Sequence, residues 1–316
     1  MSMTTRGAFR GAAAGRSILR AIGLAVAFVP LAAQIGRPPD ETLASLQERG
    51  RLIALYLQAV DKGAELLKTQ GGGATPPDRT VVIPGREGWR VVYLEDPTRS
   101  PPAAGAPRKG LAIVAETTFS PDAGEVGSLG RIVPPRAAPA TIQSYARALE
   151  EAEGATVSRP DGGRPFMEAV VRETDGTFTV YVISQHREES DPAAETAESV
   201  VFGRDFVVRI AATGRQVLTV ERLHDTIASL SLRPRAPGAP LLHGHGREGM
   251  PEPTDVALVL RHPVLAPLLV LTPGFMFRID REGAVTWLGP NPNPKPAASP
   301  GAATAQPASP SHAATP

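Results

Sequence analysis

The chain has 316 residues, with 33 Lys+Arg against 32 Asp+Glu, a formal net charge of +1 and no cysteine. So balanced a charge excludes the basic excess with which nucleic-acid binders neutralise phosphates, and zero cysteine excludes disulfide stapling and thiolate chemistry. With 33 Pro, 31 Gly and only 5% aromatic residues, the composition predicts long irregular loops around a modest core.

The N-terminus carries an address. Residues 1–19 hold Arg6, Arg10 and Arg16 and no acid, and Arg20 borders an apolar run from Ala21 through Ala33. That is a basic region followed by a hydrophobic one, too short for the roughly 20 residues a membrane-crossing helix needs. The pattern predicts a cleaved signal peptide over 1–33, a mature start near Gln34, and a periplasmic or secreted protein. The lack of a twin-arginine pair points to export of an unfolded chain, and the lack of a cysteine after the apolar run excludes a lipid anchor. Membrane contact would come only through an uncleaved signal segment. Cleavage removes four arginines and no acid, so the mature chain has 29 Lys+Arg against 32 Asp+Glu and is mildly acidic.

Next in the chain, Leu43, Leu46, Ile53, Tyr56, Leu57, Val60, Ala64 and Leu67 recur at helical spacing. Asp40 stands where an N-cap would, and Gly71, Gly72 and Gly73 close the segment, so an amphipathic helix is expected over 41–69. Its polar face, with Glu48, Arg49, Asp61, Lys62 and Glu65, reads as solvated. Gly50 and Gly63 each cost such a helix about 1 kcal/mol, so it needs tertiary support. Strands are expected at 81–83, 89–94 and 111–119, with a Pro/Ala/Gly loop over 97–109. A second helix is expected over 139–153, with Pro139 in its first turn and Gly154 after it.

Three hairpins follow. The turns Thr174-Asp175-Gly176, Thr213-Gly214 and Glu282-Gly283 each separate a pair of apolar runs, 169–172 from 178–183, 206–210 from 217–222, and 275–280 from 284–288. Two more apolar runs, 256–260 and 268–271, are read as further strands. From Pro290 the chain is mostly Pro, Ala, Ser, Thr and Asn, a composition that predicts a disordered tail over 290–316. The fold class is therefore α+β: a long N-terminal amphipathic helix and a shorter helix packed on a mostly antiparallel, meandering β-sheet. A helix-plus-strand region, 34–160, precedes a β-rich region, 161–289. Trp89, Trp287, Phe119, Phe178 and Tyr181 are expected in the core or on a sheet face.

Chemistry-bearing candidates gather in one stretch. Leu241-Leu242-His243-Gly244-His245-Gly246 looks like a loop of α/β-hydrolases that helps form an oxyanion hole, but no Gly-x-Ser-x-Gly elbow accompanies it. Gly244, Gly246 and Gly249 match the spacing of a dinucleotide fingerprint, which needs a helix directly after it; Pro251 and Pro253 argue against one. A metal site is the remaining chemistry. His243 and His245 alternate, so in an extended segment they point the same way, and His224 and His262 lie in the same part of the chain. Asp225, Glu248 and Glu252 are the nearby carboxylates, read as surface residues. The competing reading is a mobile polar loop held open by its Gly and Pro residues.

Pro253-Thr254-Asp255-Val256-Ala257-Leu258, the run Pro267 to Leu271 and Phe277-Arg278-Ile279-Asp280 resemble the C-terminal region of uncharacterised exported bacterial proteins. The resemblance implies export and a strand entered by the Pro-Thr-acid segment; it implies no activity and no site residues. The sequence thus favours an exported envelope protein with no catalytic residues and no cofactor, a non-catalytic module that binds another protein or an envelope component. The alternative is a metal-dependent hydrolase using the His243/His245 loop.

Overall fold

Helix α1, Asp40–Gln70, buries Leu43, Leu46, Ile53, Tyr56 and Leu57 along one stripe, as the periodicity predicts. Pro39 rather than Asp40 is its N-cap; Asp40 and Glu41 occupy the first turn, where negative charge suits the helix dipole. The computed structural model describes residues 37–71, 77–85, 87–96, 110–157, 166–184, 199–203, 205–224, 228–233, 235–236, 238–246 and 249–293. The expected signal peptide, most of the expected tail, the 97–109 loop, Asp225 and Glu248 lie outside these residues.

Strands β1 (Arg79–Ile83), β2 (Trp89–Glu95) and β3 (Ala112–Ser120) form an antiparallel ladder continued by the short β4 (Glu125–Val126), with β5 (Gly130–Ala137) also paired to β3. Helix α2, Ala140–Val157, follows and runs through Gly154 rather than ending before it. Strands β6 (Phe166–Arg172) and β7 (Phe178–Ser184) make the first expected hairpin, and β9 (Phe206–Ile210) and β10 (Val217–Arg222) the second. Their turn glycines, Gly176 at φ +83 and Gly214 at φ +72, adopt the left-handed backbone that such turns require. These four strands form one sheet in the order β10-β9-β7-β6, while β8 (Ser199–Phe202) pairs with β11 (Ala228–Ser231).

The last sheet departs from the expected meander. Strand β12 (Leu241–Gly244) runs parallel to β13 (Leu268–Leu271), which continues antiparallel to β14 (Phe275–Ile279) and β15 (Val285–Pro290). A parallel pair needs a crossover, and the crossover is helix α3, Pro253–Arg261, with a 3-10 turn at Pro263–Leu265. The run 256–260 is therefore helical, not a strand. Every residue from Thr254 to Val259 is buried, so the segment shows no polar face from which a period could be read. Pro253 is compatible with the helix because it stands at its start, where a missing N–H costs nothing. Beyond β15, the Asn291 side chain donates to Thr272 O at 2.8 Å, so the fold retains Pro290 and Asn291, which had been assigned to the tail.

The buried side chains form one continuous cluster that draws on α1, α2, α3 and all the larger sheets. Trp89, Phe119, Phe178 and Tyr181 belong to it and Trp287 packs against it. Both glycines of α1 are points of close approach. A Cβ at Gly50 would sit 2.5 Å from Val256 Cβ, and one at Gly63 would sit 2.6 Å from the Tyr93 hydroxyl. Nor is the polar face of α1 wholly solvated. Arg49 makes a two-pronged bond to Glu173 at 2.9 and 3.0 Å, and Asp61 pairs with Arg261 at 2.6 Å.

One buried acid makes the stability pH-dependent. Burial pushes Glu168, on β6, up to about 7, against the pull of Arg79 3.5 Å away. A carboxyl raised above its ordinary value favours the fold below about pH 4.5, and that contribution is lost as pH rises through 7. Glu168→Gln should therefore leave stability unchanged at pH 4.5 and raise it by about 2 kcal/mol at pH 8. Urea unfolding at both values tests this; a variant less stable than the parent at pH 8 would show that the ion pair with Arg79 dominates.

Candidate metal centre

Three of the four histidines expected as candidates meet, and an aspartate that sequence reasoning did not assign as a ligand joins them. His243 is in β12, paired with Val270, and His245 extends the same ladder by donating its N–H to Leu271 O at 2.7 Å. Two residues apart in extended backbone, both imidazoles face inward. His224 follows the end of β10, just past the Leu223 N–H to Asp205 O bond of 2.9 Å that extends the β9–β10 pairing. Asp255 sits in the first turn of α3, in a capping box with Glu252, and its Oδ2 accepts the Glu252 backbone N–H at 2.8 Å. His262, at the C-terminal end of that helix, is outside the group.

The ligating atoms converge. One nitrogen or oxygen from each of His224, His243, His245 and Asp255 lies within 4.8 Å of all the others. Asp255 Oδ1 is 3.0 Å from His224 Nε2 and 3.5 Å from His243 Nε2, while Oδ2 is 3.0 Å from His245 Nε2. Zinc bonds of about 2.0–2.2 Å to nitrogen and oxygen give a tetrahedron whose edge is roughly 3.3 Å; the three carboxylate–imidazole separations are near that edge, while the four-residue group spreads to 4.8 Å. The imidazole rings stand 4.6 to 5.3 Å apart, mutually tilted, around a common point. His245 Nε2 is buried 3.0 Å from Asp255 Oδ2. His224 Nε2 and Asp255 Oδ1 share a hydrogen bond at 3.0 Å, so an incoming ion would have to displace it.

Charge supports the same reading. Asp205 and Asp255 are both fully buried, and Asp205 Oδ2 lies 3.7 Å from His224 Nδ1. Two carboxylates with three neutral imidazoles are balanced by one divalent cation. Without one, protons must supply the balance. Burial opposes charge on His224, yet Asp255 and Asp205 hold it up to about 9. Burial pushes His243 down to about 4, helped by its two histidine neighbours and opposed by Asp255. Against its own burial, Asp255 is kept well below the carboxylate range by His245 and His224.

Among the described residues, the centre is least enclosed at His245. The side chains of His224, His243 and Asp255 are wholly inaccessible, and that of His245 is 4% exposed. His245 lines a cleft of about 530 Å³ together with Ser45, Arg49, Tyr181, Glu221 and Glu252. Glu252, expected on the surface, is largely buried, and that burial, with Asp255 nearby, pushes it up to about 7. The loop reading of 241–246 thus gives way to a strand with buried histidines, and Pro253 opens a helix rather than preventing one. Comparison with protein-family models, with curated proteins and with solved structures finds no match.

Proposed function

We propose that this chain is an exported, non-catalytic metal-binding protein that holds one divalent transition-metal ion, zinc foremost, through His224, His243, His245 and Asp255. The observation that carries the reading is the convergence of four buried ligating atoms, from three separate parts of the fold, within 4.8 Å of one another. Three imidazoles and one carboxylate suit zinc, and the absence of cysteine removes the soft ligand that copper(I) prefers. Four protein donors complete a tetrahedron, whereas catalytic zinc sites keep one position for water, so the donor count favours binding over hydrolysis. Export rests on the basic and apolar segments of residues 1–33.

One preparation tests both parts. Native cells are fractionated, and the protein is purified without a polyhistidine tag, sequenced from its N-terminus and analysed for metals. The expected result is a mature start near Gln34 outside the cytoplasm and about one zinc per chain, lost when His243 and His245 are both replaced by Ala. Cytosolic protein starting at Met1 would overturn export. Protein free of metal even after incubation with zinc would overturn the centre.

A further inference from the structure

We infer that Asp205 is a positioning residue of the metal centre: it keeps the ring proton of His224 on Nδ1 and so leaves Nε2 as the atom that binds the ion. The inference rests on the metal-centre reading and adds to it a fifth residue that does not itself touch the metal. His224 stands between two buried carboxylates, one at each ring nitrogen. Nε2 faces Asp255 Oδ1 at 3.0 Å, inside the group of converging ligands, and Nδ1 faces Asp205 Oδ2 at 3.7 Å, outside it. The side chains of Asp205 and His224 are wholly inaccessible. One ladder registers their backbones. Arg222 of β10 pairs with Phe206 of β9, and the next rung, Leu223 N–H to Asp205 O at 2.9 Å, sets Asp205 opposite the residue before His224.

A neutral imidazole carries its proton on one nitrogen and its lone pair on the other, and only the lone pair binds a metal. Asp255 alone would draw the proton to Nε2, since an ionised carboxylate can only accept in the 3.0 Å bond between them. That tautomer turns its lone pair away from the cluster. Asp205 gives the other nitrogen a carboxylate to face, so when an ion takes the place of the hydrogen on Nε2 the ring stays neutral with its N–H at Nδ1. At 3.7 Å the outer contact is longer than a hydrogen bond, and the inner one, at 3.0 Å, is shorter than the roughly 3.3 Å edge of a zinc tetrahedron. The two nitrogens point to opposite flanks of the ring, so a small shift toward Asp205 moves both separations in the required direction.

The test joins affinity to spectroscopy. Full-length protein is stripped of metal, and its zinc affinity is measured by competition with a chromophoric chelator. In Asp205→Asn the affinity should fall about ten- to a hundredfold at unchanged stoichiometry, because an amide offers Nδ1 a donor and an acceptor alike and no longer selects the proton's place. Nitrogen-15 NMR of the zinc-loaded parent supplies a readout that a merely structural role would not move. It should show His224 bound through Nε2, with a slowly exchanging, hydrogen-bonded proton on Nδ1 whose signal shifts upfield in Asp205→Asn. A parent whose His224 is bound through Nδ1, or lacks that proton, would overturn the inference, and this measurement needs no variant that folds. So would an Asp205→Asn protein with the parent's affinity and an unmoved His224 signal. Both outcomes, at one zinc per chain, sink the inference alone, whereas a parent that takes up no zinc sinks the metal centre and the inference with it.

Discussion

If the proposed centre holds zinc, stripping it with a chelator should lower the melting temperature by about 10 °C. A ligand held at a thousand times its dissociation constant adds about 4 kcal/mol to the native state, and each kcal/mol moves a domain of this size by about 2 to 4 °C. Asp255→Asn isolates the cause. An asparagine oxygen can still accept the Glu252 N–H that Asp255 Oδ2 accepts at 2.8 Å, so helix α3 keeps its cap. It contributes no charge to a cluster in which three imidazoles surround that carboxylate. The variant should hold no stoichiometric zinc, melt near the temperature of the chelator-treated parent, and not respond to chelator. An Asp255→Asn protein with one zinc per chain and an unchanged melting temperature would remove Asp255 from the ligand set.

The second large effect is expected at Gly50. A Cβ there would lie 2.5 Å from Val256 Cβ and 2.9 Å from Pro253 O, so α1 and α3 can cross as they do only with glycine. Val256 is the neighbour of Asp255, and any widening of the crossing displaces a proposed metal ligand as well as a core contact. Gly50→Val should cost about 3 kcal/mol and weaken zinc binding together with stability. Gly154 is the control. It too lies within a helix, but nothing is within 4 Å of where its Cβ would be, so Gly154→Ala should raise stability by up to about 1 kcal/mol. Chemical unfolding of both variants with and without zinc measures the two signs. Equal effects at the two sites would mean that helix propensity, not the crossing, sets the cost of Gly50.

What the sequence disclosed, and what it hid, follows from how local each signal is. The stripe of Leu43, Leu46, Ile53 and Leu57 defines α1 because one face of that helix meets solvent, and the Asp-Gly and Thr-Gly turns mark hairpins because their chemistry is contained in a few residues. Helix α3 was hidden because it is buried on nearly every side, which erases periodicity. Its start was still written in Pro253 at the first helical position and Asp255 three residues after Glu252. His243 and His245 were recognisable as a pair by their alternation. Asp255 was not, because its place beside them depends on a parallel crossover that no local pattern announces. His262 was grouped with the others by sequence proximity alone, and the helix carries it away from them.

The proposed ligands span residues 224 to 255, and this bears on how the chain would be held together. A bound ion ties together points 31 residues apart, the separation between His224 and Asp255. A covalent cross-link over that span would restrict the denatured ensemble by about 4 kcal/mol, whereas an ion released on unfolding stabilises the folded chain by mass action. In a protein without a single thiol, this tie is indifferent to oxidants and reductants. It yields instead to acid, which protonates imidazoles, and to competing chelators, so the surroundings would tune the protein's durability through metal supply and pH rather than through redox potential.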